Sequence, residues 1–169
     1  TGLPEAARSE SRRFVVARLS RITMIAIHQP NYLPWLGFFD KARMADTFVL
    51  LDNVPYTRGS VINRNRIRTK RGCEWITIPV RHQPGELIRN VLTVDSRWEK
   101  KHWKTLLFNY SRAPCFSDLA PMLHDAYEKR WDKLADLNEA LIILLLDYLS
   151  LKPRVLRASD LTVQGKSSE

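Results

Sequence analysis

The stretch from Ile25 to Lys41, Ile-Ala-Ile-His-Gln-Pro-Asn-Tyr-Leu-Pro-Trp-Leu-Gly-Phe-Phe-Asp-Lys, constrains the fold of this chain more than any other. Met24 to Ile27 reads as a short apolar strand that breaks at once into polar residues and prolines. Pro30 and Pro34 each fix φ near −65° and bias Gln29 and Leu33 away from the helical region, so an extended, stiff backbone is expected between them. Gly37 permits a close approach or a tight turn before a helix expected over Phe38 to Arg43. Asp46-Thr-Phe-Val-Leu-Leu-Asp52 is apolar without alternation, which suits a strand buried on both faces of a parallel sheet. Strand, loop, helix and strand over residues 24–52 predict a βαβ unit with both carboxyl ends on one side, the edge where open α/β sheets take their ligands. His28, Gln29 and Asn31 are therefore expected to face one crevice with Asp52 and Asn53. Tyr32 and Trp35 either line that crevice or pack the loop onto the sheet.

The net charge of +9 is unevenly spread: residues 1–23 contribute +3 and residues 63–72 contribute +5, leaving +1 for the rest. Residues 1–23 read as a basic extension without a fold of its own, with a presequence as the alternative. Within Val61 to Gly72, period two places Arg64, Arg66 and Arg68 on one face and Asn63, Asn65 and Ile67 on the other. Three guanidiniums on one face suit a phosphate or carboxylate. A solvated edge strand and an RNA contact are the alternatives. The stretch lacks the interleaved aromatics of a base-stacking surface, which argues against nucleic acid.

Cys73 to Val80 and Leu87 to Val94 read as further strands, and Ser96-Arg-Trp-Glu99 as a capping box. Three helices should follow. The first carries Trp98, Trp103, Leu106, Leu107 and Tyr110 inward. The second spans Phe116 to Lys129, with Pro121 acceptable only in its first turn. The third, Asp132 to Ser150, buries a leucine stripe and is stopped by Pro153. Arg154 to Leu161 reads as a last strand. The pattern predicts an α/β domain with a mostly parallel sheet, a βαβ start and a helical segment in the second half. No apolar run reaches the roughly 18 residues of a membrane span. Cys73 and Cys115 have no metal-ligand spacing and neither do the four histidines, so no metal is assigned, and free thiols in a cytoplasmic setting are expected. The terminal Gly165-Lys-Ser-Ser168 resembles the end of a phosphate loop without its earlier glycine.

His28 to Lys41, together with Asp46 to Asn53, Asn63 to Ile67, Trp75 to Val80 and Gly165 to Ser168, resembles the WbqC-like protein family over about residues 24–169. The resemblance implies a bacterial protein of O-antigen or other surface polysaccharide biosynthesis, with glycine or amino-acid transfer onto an aminosugar as its activity. Family members usually run some tens of residues further, so it also implies an α/β domain that is incomplete at its C-terminus. A weaker likeness, at the level of the fold, is to the nucleotidylyltransferase-type or HUP-like α/β fold, in which a late Lys/Ser loop meets phosphate; this is analogy.

The chemistry these residues suit is acyl transfer. His28 would take the proton of the attacking amine, with Asp52 either orienting it or capping a turn. Gln29, Asn31, Tyr32, Asn53 and Asn63 would contact substrate. Arg64, Arg66, Lys166 and Ser167 would hold the phosphate of an activated donor, ATP or an adenylate-activated amino acid. The substrates would be small molecules. A non-catalytic nucleotide- or sugar-binding scaffold and an RNA-binding domain are the other classes.

Overall fold

The computed structural model describes residues 23–94 and 97–162. In chain order the elements are β1 (Ile25–His28), α1 (Leu36–Met44), β2 (Thr47–Leu50), β3 (Arg64–Thr69), β4 (Gly72–Thr77), β5 (Val80–Arg81), β6 (Leu92–Thr93), α2 (Trp98–Tyr110), α3 (Phe116–Glu128), α4 (Leu134–Tyr148) and β7 (Arg154–Arg157). The fold is α/β, with β1, β2 and β7 forming a three-stranded parallel sheet in that order. Register places Ala26, Phe48 and Val155 on one face, and α1 and α4 cover it with Phe38, Phe39, Ala42, Ile142 and Leu146. Each fully buried side chain of this size contributes roughly 1.5–3 kcal/mol. Central β2 is buried on both faces, as its unbroken apolar run demands, whereas edge strand β1 leaves Ile25 and Ile27 exposed.

The remaining strands do not extend this sheet. β3 and β4 form an antiparallel hairpin, and β5 pairs antiparallel with β6. The expected strand from Cys73 to Val80 is interrupted at Pro79, which has no N–H to continue the ladder. The expected strand from Leu87 to Val94 is instead a 3-10 turn, Ile88–Asn90, followed by the short β6.

Helix α4 is shared by two cores. Leu134, Leu137 and Leu141 join one cluster with Ile62, Ile78, Tyr32 and residues of α2 and α3, while Ile142 and Leu146 join the cluster under the parallel sheet. Fully buried Asn138 sits between them and donates from its amide to the carbonyls of Pro30 and Ile62, both at 2.8 Å. Leu107 of α2 and Leu149 beyond α4 are exposed rather than in the core. Pro121 stands inside α3, beyond the first turn. The amide it lacks would have bonded the carbonyl of Ser117, an exposed residue, so water can satisfy that group.

The proline-bounded loop is not uniformly extended. Leu33 has φ 44°, a left-handed conformation that costs a non-glycine residue roughly 1–2 kcal/mol. Two clamps hold it there: Tyr32 N–H donates to the Val61 carbonyl at 3.1 Å, and the Asn65 amide donates to the Leu33 carbonyl. Trp35 is largely exposed and lies over Gly37, where an added Cβ would come within 2.1 Å of the indole ring.

Candidate functional site

Two places gather the residues singled out from the sequence, and they are separate. At the carboxyl end of β1, His28 is half-buried, edge-on to Phe38 at 4.9 Å. Its Nδ1 lies 3.0 Å from the Gln29 carbonyl. A carbonyl only accepts, so Nδ1 carries the proton and a neutral ring presents the Nε2 lone pair. Asp52 is 1% exposed, and both carboxylate oxygens are engaged by Ser159, from N–H at 2.9 Å and from Oγ at 2.6 Å. The carboxylate thus secures the 3-10 turn Ala158–Asp160 after β7, and among the described residues its hydrogen bonds do not run to His28. The turn it caps is this remote one, 107 residues on, and not its own through a local Asx bond.

Asn31 is buried, with no partner for its side-chain oxygen among the described residues, while Asn53 is exposed. Tyr32 is wholly buried and its hydroxyl meets His102 Nδ1 at 2.8 Å and the Tyr127 hydroxyl. His102 Nε2 reaches the Thr77 carbonyl at 3.2 Å. That carbonyl fixes every proton in the series: Nε2 donates to it, Nδ1 accepts from Tyr32, and Tyr32 accepts from Tyr127. Burial, the largest cause, lowers the His102 pKa to about 4, with Lys101 adding to it and the Thr77 bond opposing. Burial likewise pushes the hydroxyls of Tyr32 and Tyr127 up. This polar line ties the opening loop, α2, α3 and β4 together. Tyr32 is therefore structural rather than a substrate contact.

The second place is a cavity of about 520 Å³ between the 56–59 turn, the start of β3 and the β4–β5 connection. Arg58, Arg64 and Arg81 line it with His82, Tyr56 and Asn63, and among the described residues no carboxylate lines it. Arg64 is held from below by Trp75, whose ring centroid is 4.2 Å from the guanidinium carbon. Its Nε is buried and has no hydrogen-bond partner among the described residues, a donor in want of an acceptor. Gly59 has φ +74°, the left-handed conformation that favours glycine, and a Cβ there would stand in ordinary contact with Arg64 Nη2, so the turn is what calls for glycine. Tyr56 packs edge-on to His82 at 4.7 Å; burial raises its pKa, and Arg64 and Arg58 pull it back. Three guanidiniums around one cavity of this size can hold a phosphate or carboxylate.

Of the sequence-derived anion contacts, Asn63 and Arg64 line this cavity, whereas Arg66 is exposed, outside its lining, and 6.0 Å from the Trp75 ring. His28, Gln29 and Asp52 do not line it. Lys166, Ser167 and the Ser96 cap lie outside the described residues. Arg58, Arg81 and His82 were not singled out. Arg58 precedes a glycine in a turn and Arg81-His82 follows Pro79, but only the fold brings them to Arg64. Cys73 and Cys115 are exposed free thiols. Among the described residues no helix is long and apolar enough to cross a membrane, and no cluster of three or more His, Cys, Asp or Glu could hold a metal ion.

The described residues thus make an α/β fold in which Val61 and Asn65 clamp the prolyl loop and three arginines line one cavity. The chain belongs to the WbqC-like protein family, which it matches over residues 29–169. It is also similar to the uncharacterized protein Rv1507c of Mycobacterium tuberculosis, 37% identical over 151 residues, covering 86% of this chain and 64% of that protein. The chain thus spans less than two thirds of that relative's length. No solved structure matches it.

Proposed function

We propose that the protein serves bacterial surface polysaccharide biosynthesis by transferring an activated amino acid, glycine in the simplest case, onto an aminosugar. The observation that carries this reading is the arginine cavity, whose buried Arg64 Nε, unpartnered among the described residues, and three guanidiniums suit the phosphate of an adenylate or similar donor. Family membership supports the biological setting. His28 is the candidate base, because its Nδ1–H bond to Gln29 leaves Nε2 to accept a proton from the amine. Asp52 acts by holding the turn after β7 and has no direct part in the chemistry. Lys166 and Ser167 remain candidate phosphate contacts, and the nucleotidylyltransferase-like arrangement of the sheet remains an analogy.

One observation favours a second reading. His28 does not line the arginine cavity, which suits a scaffold that binds a nucleotide or sugar phosphate without turning it over. Mass spectrometry of an incubation with glycyl-adenylate and an aminosugar decides between them. Transfer predicts an N-glycyl sugar whose formation falls at least about 100-fold in His28→Ala, the scale of a lost general base, while donor affinity is kept. Donor binding with no product in either protein would establish the scaffold.

A further inference from the structure

The outward side of α2 carries chemistry that neither the arginine cavity nor His28 uses. Two adjoining grooves run along it, and Lys104, Phe108 and Asn109 line both. The inward positions Trp98, His102 and Leu106 are buried, which leaves Lys100, Lys101, Lys104 and Arg112 exposed on the other side. The β3–β4 hairpin is docked beside them, because the Arg68 N–H donates to the Tyr110 hydroxyl at 2.9 Å. Its turn brings in Lys70, whose ammonium stands 5.6 Å from the Phe108 ring. These five cations surround one ring, and among the described residues no carboxylate lines either groove. Phe108 is 72% exposed and its neighbour Leu107 is 41% exposed. An aromatic ring and a leucine held side by side in water, edged by positive charge, call for a partner with an apolar layer and an anionic border.

We propose that this face of α2, with the tip of the β3–β4 hairpin, seats the protein on an anionic lipid bilayer. Phe108 and Leu107 enter the boundary between headgroups and acyl chains, and the ammonium groups lie against the lipid phosphates. Lysine dominates the patch, and its compact point charge suits a diffuse anionic surface, without the planar fork that singles out one phosphate. The grooves offer one exposed ring, which does not stack successive bases, so lipid is favoured over single-stranded nucleic acid. The contact is interfacial: among the described residues no helix is long and apolar enough to cross a membrane. The proposal goes beyond the transfer reading and stands without it.

Co-sedimentation of the full chain with vesicles of phosphatidylcholine, alone or mixed equally with phosphatidylglycerol, tests it. Binding is expected only to the anionic vesicles and should weaken as salt is raised. Lys101→Ala and Lys104→Ala should each weaken it about fivefold, the loss of one cation at such a surface. Phe108→Ser should weaken it about tenfold at constant charge, whereas Phe108→Trp should retain it. All of these changes fall on exposed side chains, so each variant should melt with the native protein. Arg64→Ala should leave vesicle binding unchanged, and Phe108→Ser should leave AMP binding unchanged, which separates this face from the arginine cavity. Equal binding to neutral vesicles, indifference to Phe108 or to both lysines, or no binding at all would each overturn the proposal. So would an oligothymidine that binds with the same dependence on Lys104 and Phe108 while the vesicles do not.

Discussion

Tyr32 stands in the loop that the sequence marks most strongly, yet its hydroxyl reaches inward to His102 and Tyr127. Tyr32→Phe keeps the ring and leaves His102 Nδ1 and the Tyr127 hydroxyl without partners in a dry interior. Each orphaned group costs about 1–3 kcal/mol, so the variant should lose roughly 2–6 kcal/mol in urea unfolding. An unchanged midpoint would mean that the line of bonds carries no stability. The sequence left open whether Tyr32 lines a crevice or packs the loop, because its partners lie 70 and 95 residues away. Asp52 shows the same limit. Its position at the end of a strand was legible, but its bond to Ser159, 107 residues on, was not. Leu33 went against local expectation because Asn65 and Val61, not Pro34 alone, set its backbone.

At the scale of elements, loop signals, helical spacing and apolar runs located the four described α-helices and the parallel strands, since these are local signals. What they misjudged were features that depend on neighbours. Arg64 and Arg66 do share a face, but the aromatic beneath them, Trp75, comes from the facing strand, where Arg66 is its register partner. The strands also end sooner than expected: Pro79 has no N–H for the ladder, and Ile88–Asn90 is a 3-10 turn. Pro121 is tolerated inside α3 although it removes a backbone bond. Pro121→Ala should restore that bond and stabilise the protein by about 1–3 kcal/mol in thermal unfolding. A loss of stability would show that the ring itself packs usefully.

For the molecule as a whole, His102 links the fold to pH. Its folded-state pKa is about 4, below the ordinary histidine value. Between roughly pH 6.5 and 4 the unfolded chain therefore takes up a proton that the folded chain refuses, so stability falls as pH drops through that window and levels off below it. The full effect is roughly 3 kcal/mol. Unfolding free energy measured from pH 7 to 4 should decline accordingly, and His102→Gln should remove this part of the decline. The concentration of charge in residues 1–23 and 63–72 was readable from composition, but the cavity was not, because Arg58 and Arg81 reach Arg64 only through the turn at Gly59 and the break at Pro79.

That cavity is the central claim, and calorimetric titration with AMP of the native chain beside Arg64→Ala and Arg64→Lys tests it most directly. The native chain should bind, with affinity falling as salt is raised. Arg64→Ala should lose about 1.5–3 kcal/mol of binding, and lysine, which keeps the charge but not the planar fork, should recover only part of it. Equal affinity in all three proteins, or no heat with any of them, would contradict an anion site at Arg64.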